Sequence, residues 1–116
     1  PRHKEPVDVM STQLKDLSSW YHSQCNGDWE HSYGIKISTI DNPGWMIRIT
    51  LTDSDLENSP ITECNELRSD DDWVVIQDRT ESNIREYRSY GGPHNLEEMI
   101  TRFLEWTSNA EPKATP

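Results

Sequence analysis

His22, Cys25, Asp28, Glu30 and His31 lie within ten consecutive residues and form the densest group of reactive side chains in the sequence. Carboxylate and imidazole donors in the order Asp28-Trp29-Glu30-His31 are the types that hold a transition metal. The spacing works against such a site. In an extended segment Glu30 and His31 point to opposite faces, no HExxH helix is present, and His3 and His94 fall in a terminal stretch and a loop. General acid–base work by Asp28 and Glu30 would need a concave pocket to shift one pKa, and no nucleophile motif accompanies them. Cys25 with His22 or His31 leaves a thiol–imidazole pair open, so the alternative function is a small metal- or thiol-dependent hydrolase. Gly91-Gly92-Pro93 lacks the lysine of a phosphate-binding loop and suits a strand-to-helix turn instead.

Charge narrows the field further. Eleven Lys and Arg against 21 Asp and Glu leave a formal net charge of −10, so direct binding of a nucleic-acid backbone is not expected. Residues 53–72 hold much of that charge: Asp53, Asp55, Glu57, Glu63, Glu66, Asp70, Asp71 and Asp72 face one base, Arg68. Such a surface suits a basic protein partner, or simply keeps the chain soluble. Of the five Trp, Trp20, Trp45, Trp73 and Trp106 sit on or beside apolar stripes. Trp29, in a polar loop, reads either as an exposed interface anchor or as a lid on the end of the core. Cys25 and Cys64 make neither a zinc pattern nor a disulfide framework. No run is apolar enough to span a bilayer, and the Pro1 to Pro6 start lacks the apolar core of a signal peptide, so a cytoplasmic protein without cofactor or membrane partner is expected.

These residues need elements to hold them. Leu14, Leu17 and Tyr21 recur at helical spacing with Trp20 beside them, and Ser11 or Thr12 can cap, which predicts a helix over 11–24. Tyr33, Ile35, Ile37 and Thr39 alternate, as do Trp45, Ile47, Ile49 and Leu51, so 33–51 is a hairpin with one buried face. Its turn, Asp41-Asn42-Pro43-Gly44, fits type II, with Pro43 presetting φ and Gly44 supplying a positive one. Weaker strands follow at Ile61 to Arg68, Trp73 to Gln77 and Ile84 to Tyr90, with Ser69 to Asp72 as a turn. Asn95 with Glu98 three residues on is a variant capping box opening a helix over 96–107. Its stripe is Leu96, Ile100, Phe103, Leu104 and Thr107, bordered by Met99 and Trp106. The expected fold class is α+β: an antiparallel sheet of four to five strands with an N-terminal and a C-terminal helix packed on it. Residues 1–10 and 109–116 read as flexible tails around a single domain at 11–108.

Trp20-Tyr21, Gln24-Cys25-Asn26-Gly27-Asp28-Trp29-Glu30-His31, Tyr33-Gly34-Ile35-Lys36-Ile37 and Asp41-Asn42-Pro43-Gly44-Trp45 follow one another in a fixed order. Gly91-Gly92-Pro93, Asn95-Leu96-Glu97-Glu98 and Phe103-Leu104-Glu105-Trp106 continue it. In these blocks the chain resembles the immunity protein 53 family across 14–106, loosely over 53–90. The resemblance implies a bacterial immunity protein of a polymorphic toxin system, an antitoxin that binds and blocks a cognate toxin domain and carries no enzymatic activity. The expected partner surface combines Asp28, Trp29 and Glu30 with Asp53, Asp55, Glu57, Asp70, Asp71 and Asp72, meeting a basic cleft such as a nuclease's. A monomer is favoured, and a non-enzymatic adaptor module is the remaining alternative.

Overall fold

Residues 12–110 are described by the computed structural model. They form α1 (Thr12–Gln24), a short helical turn α2 (Trp29–Ser32), β1 (Ile35–Ile40), β2 (Gly44–Thr50), β3 (Cys64–Ser69), β4 (Asp72–Glu81), β5 (Ile84–Gly91) and α3 (Leu96–Asn109). The strands make one five-stranded sheet in the order β1-β2-β5-β4-β3, antiparallel at every pairing. The expected α+β class is the observed one. The tail expected at 1–10 and the possible cap Ser11 lie outside the described residues. So does 111–116, whereas Asn109 still belongs to α3 and the Ala110 amide donates to Trp106 O.

The anticipated β1–β2 hairpin is present, with Ile35 opposite Ile49 and Ile37 opposite Ile47. Burial is uneven: Ile47, Ile49 and Leu51 are buried, whereas β1 is exposed through its middle because it lies at the sheet edge. The turn is not the expected type II. The Asn42–Pro43 bond is cis and Gly44 has no positive φ. Gly44 is required for space instead, because a Cβ there would run into the Gly91 carbonyl of the neighbouring strand.

The third strand begins later than expected, at Cys64, because the chain first crosses from β2 to the far edge of the sheet. Residues 51–63 make that crossing, pinned by buried Leu56, by Trp106 Nε1 donating to Pro60 O (2.8 Å) and by Arg85 Nη1 donating to Glu57 O (2.8 Å). The fourth strand outruns its predicted end by four residues, to Glu81. Ser82 and Asn83 then turn the chain with φ of 54° and 68°, the left-handed pair that a tight hairpin favours.

Both long helices cover one face. Buried Met99, Ile100 and Phe103 of α3 pack with Ile47, Ile49, Val74, Ile76 and Tyr87 of the sheet. The inward stripe of α1 differs from the expected Leu14, Leu17 and Tyr21. Leu17 and Gln24 are buried and Trp20 packs on the core, while Leu14 is 57% and Tyr21 38% exposed. Trp20 sets the roll: its ring meets Phe103 edge-on at 5.0 Å and Trp29 at 6.0 Å, and a Trp buries more apolar area than the leucine it displaces. Trp73 also departs from expectation. Its neighbour Val74 points into the core, so Trp73 sits half-buried on the other face with Val75, Met46 and Tyr90.

Phe103 is wholly buried and touches Trp20, Tyr87 (5.1 Å) and Trp106 (5.9 Å). Phe103→Ala should cost about 3–5 kcal/mol by transfer loss and cavity formation, read as a lower denaturation midpoint with an unchanged m-value.

Candidate functional site

The acidic residues singled out in the sequence fall into two groups at opposite ends of the sheet. β2 and β4 run parallel to each other with β5 between them, so the start of β4, where Asp70, Asp71 and Asp72 lie, is level with the start of β2. Asp53, Asp55 and Glu57 follow the end of β2 and therefore lie at the other end.

At that end Asp28 joins Asp53 and Glu57 around a polar groove of about 520 Å³, with Asn26, Ser32, Tyr33 and Ser54 in its walls. Local hydrogen bonds shape both rims. Asn26 Oδ1 accepts from the amides of Asp28 (2.9 Å) and Trp29 (3.0 Å), an Asx-type turn aided by Gly27 at φ 96°. Glu30 folds back to accept from the amides of Asn26 (2.9 Å) and Gly27 (2.7 Å). Backbone amides, its own first and then those two, hold the Glu30 carboxyl below its ordinary range. On the opposite rim Ser54 bonds Leu51 O, Leu56 anchors the loop in the core, and buried Gln24 accepts the Asp55 amide at 3.0 Å.

Trp29 is not the exposed anchor that the sequence allowed. It is 1% exposed, packed against Trp20 and Tyr21 (5.8 Å), and closes the end of the core. The apolar contacts on offer under α1 outweigh the polar character of the surrounding loop. Glu30 is likewise committed to the loop backbone, so of this trio Asp28 alone presents an unengaged side chain. The His22, Cys25, Asp28, Glu30 and His31 cluster spans the end of α1, the loop after it and α2. Cys25 Sγ donates to Tyr21 O (3.4 Å) along the helix, and among the described residues no three His, Cys, Asp or Glu side chains converge to hold a metal.

At the other end Asp70 and Asp71 form an exposed two-residue turn, but Asp72 is tied down. Arg68 reaches Asp72 (2.8 Å) and Glu98 (2.6 Å), and Arg102 reaches Glu66 (2.7 Å) and Glu98 (2.8 Å). The Asn95 side chain makes no cap hydrogen bond to α3. It accepts the Trp73 amide (3.2 Å) and donates to Asp72 (3.0 Å) and Glu98 (3.1 Å), stitching the β3–β4 turn to the helix. Arg68 holds the carboxyls of Asp72 and Glu98 below their usual range, and Arg102 does so for Glu66.

All six described arginines are in ion pairs: Arg48 and Arg88 with Glu86, Arg79 with Glu63, Arg85 with Asp78, and Arg68 and Arg102 in the network above. Asp28, Asp53, Asp55, Glu57, Asp70 and Asp71 have no ion-pair partner among the described residues. Sequence reasoning missed Asn26, Ser32 and Tyr33 as walls of the groove; the Asn-Gly-Asp run was the available signal for the loop. No described helix is long and apolar enough to cross a membrane.

A family model described as immunity protein 53 matches residues 14–108, from the first turns of α1 to the last turn of α3. No curated protein and no solved structure matches the chain.

The depressed carboxyls set the direction of pH dependence. Stability supplied by Glu66, Asp72 and Glu98 is present above their unfolded values and is lost as pH falls through the lower folded ones, an acid limb below about pH 4.5. Arg102→Gln should flatten that limb relative to the parent, measured as denaturation midpoints between about pH 3 and pH 7.

Proposed function

The chain belongs to the immunity protein 53 family, which points to toxin neutralisation, and on that premise we propose that it binds a cognate bacterial toxin domain one to one and occludes a basic active-site cleft. A nuclease cleft, built to hold phosphates, has the complementary charge. Inhibition of this kind is stoichiometric and needs no catalytic group or cofactor on the antitoxin. It acts in the cytoplasm, where the producing cell needs protection.

The observation that carries this reading is the distribution of uncompensated charge. With every described arginine engaged internally, Asp28, Asp53, Asp55, Glu57, Asp70 and Asp71 are left without an ion-pair partner among the described residues at the two ends of the sheet, and Asp16, Glu97 and Glu105 on the helices. Asp28, Asp53 and Glu57 surround a groove and stand on rims fixed by backbone hydrogen bonds, so little ordering remains to be done on binding. Asp70 and Asp71 lie apart, since β4 alone spans ten residues, roughly 33 Å at a strand's rise per residue. We therefore assign the cleft contact to the Asp28 end.

Cells expressing the toxin domain encoded beside this chain should grow when the chain is co-expressed, and the two should co-purify. Absence of rescue despite soluble expression sinks the reading for that toxin and favours an adaptor. Asp53→Lys with Glu57→Lys should slow association at least about tenfold at low salt, with the difference shrinking as charges become screened beyond about 8 Å at physiological ionic strength. Asp70→Lys with Asp71→Lys should leave association within about twofold of the parent.

A further inference from the structure

The two edges of the sheet are built differently. β3 is guarded: it carries Glu66 and Arg68, both held by ion pairs that reach α3, and a register shift between Leu67 and Ser69 interrupts its ladder. Charges and bulges are the usual devices against adding another strand. β1, Ile-Lys-Ile-Ser-Thr-Ile, carries one charge, Lys36, with no ion pair tying it to another element among the described residues, has no irregularity in its six residues and pairs only with β2. The Thr50 amide donates to Gly34 O at 3.1 Å. Alternation along an antiparallel ladder then turns Lys36, Ser38 and Ile40 toward β2 and leaves the amides and carbonyls of Ile35, Ile37 and Thr39 at the open edge.

Apolar surface gathers beside that edge. A groove of about 370 Å³ lies between α1 and the start of β1, lined by Leu17, Ser18, Tyr21, Tyr33, Gly34 and Ile35 and holding no charged side chain. Leu14 continues the Ser18–Tyr21 stripe one turn earlier, and Ile37, 40% exposed, continues Ile35 along the strand. Of the four exposed large hydrophobics, Tyr21 thus lines this groove, and Leu14 and Ile37 share the helix stripe and strand face of its lining residues. Tyr33 is a wall of both this groove and the acidic one, so the two adjoin at that residue.

We propose that β1 accepts a sixth strand from the toxin domain, apolar at the alternate positions that enter the groove beneath α1 and basic where it passes Tyr33 toward Asp28, Asp53 and Glu57. This rests on the toxin-binding reading and names the surface that serves it. Main-chain hydrogen bonds supply the pairing and the groove selects side chains. A second copy of this chain is the poorer occupant, because two bodies of charge −10 repel and neither offers a basic segment to the acidic end.

The test uses the full chain and the toxin domain encoded beside it. Ile37→Pro removes an outward amide on an edge strand, where proline is tolerated, and Ser18→Arg fills the groove from an exposed position. Each should weaken binding more than about tenfold, whereas Leu67→Lys on the opposite edge should stay within about twofold. Circular dichroism establishes that the variants fold. Amide exchange by NMR should slow at Ile35, Ile37 and Thr39 only when toxin is added. Unchanged affinity in both variants while the parent binds overturns the edge proposal and leaves toxin binding intact. Protection of those amides in the free chain also overturns it, whether the occupant is another part of the chain or, if concentration-dependent, a second copy. Failure of the parent to bind removes both readings.

Discussion

Everything at the acidic end hangs from the aromatic junction around Phe103. On one side Phe103 meets Trp20, Trp20 meets Trp29, and Trp29 seats the turn that carries Asp28. On the other side Tyr87 stacks on Trp106 at 5.3 Å, and Trp106 holds the carbonyl of Pro60 in the crossover that carries Asp53. The two rims of the groove come from segments far apart in sequence, and the same set of rings places both. The junction joins three elements, α1, α3 and β5, so it also fixes how far α1 stands off β1.

The charges follow a different economy. Ion pairs at the surface contribute little to stability individually, and most of those here are at least partly exposed. Their effect is to choose which carboxylates remain available. Arg68, Arg102 and Asn95 engage Glu66, Asp72 and Glu98 in holding β3 to α3. Among the described residues Asp28, Asp53, Asp55, Glu57, Asp70 and Asp71 are left unpaired on turns and on the crossover, while Asp16, Glu97 and Glu105 stand unpaired on the helices.

Much of the fold was legible because it is periodic. Alternation from Tyr33 to Leu51 revealed the hairpin, and the Leu96 to Thr107 stripe revealed α3, although Met99 proved central rather than marginal to it. α1 was misread on its face because 14, 17 and 21 and 13, 17, 20 and 24 are both helical stripes, and only the partner rings decide between them. The turn at Pro43 was misassigned because Gly44 answers to a neighbouring strand 47 residues away, Gly91, which local turn rules do not see. For the candidate site, residue type was legible but grouping was not. Asp53 and Asp72 are close in sequence and sit at opposite ends of the sheet, while Trp29 is turned inward and Glu30 folds back onto its own loop.

The strand that enters the sheet last in sequence, β5, is the one at its centre. β1 pairs only with β2 and β3 only with β4; both halves are joined through β5. A nascent chain that ends before Ile84 holds two separate strand pairs with no hydrogen bond between them, and the helix bearing Phe103 is still to come. Such a topology is rich in non-local contacts, which slows folding relative to local architectures. It also makes completion of the sheet a late event in synthesis: no N-terminal portion that ends before β5 can join the two strand pairs, so a chain cut short of Ile84 lacks the central strand on which both halves depend.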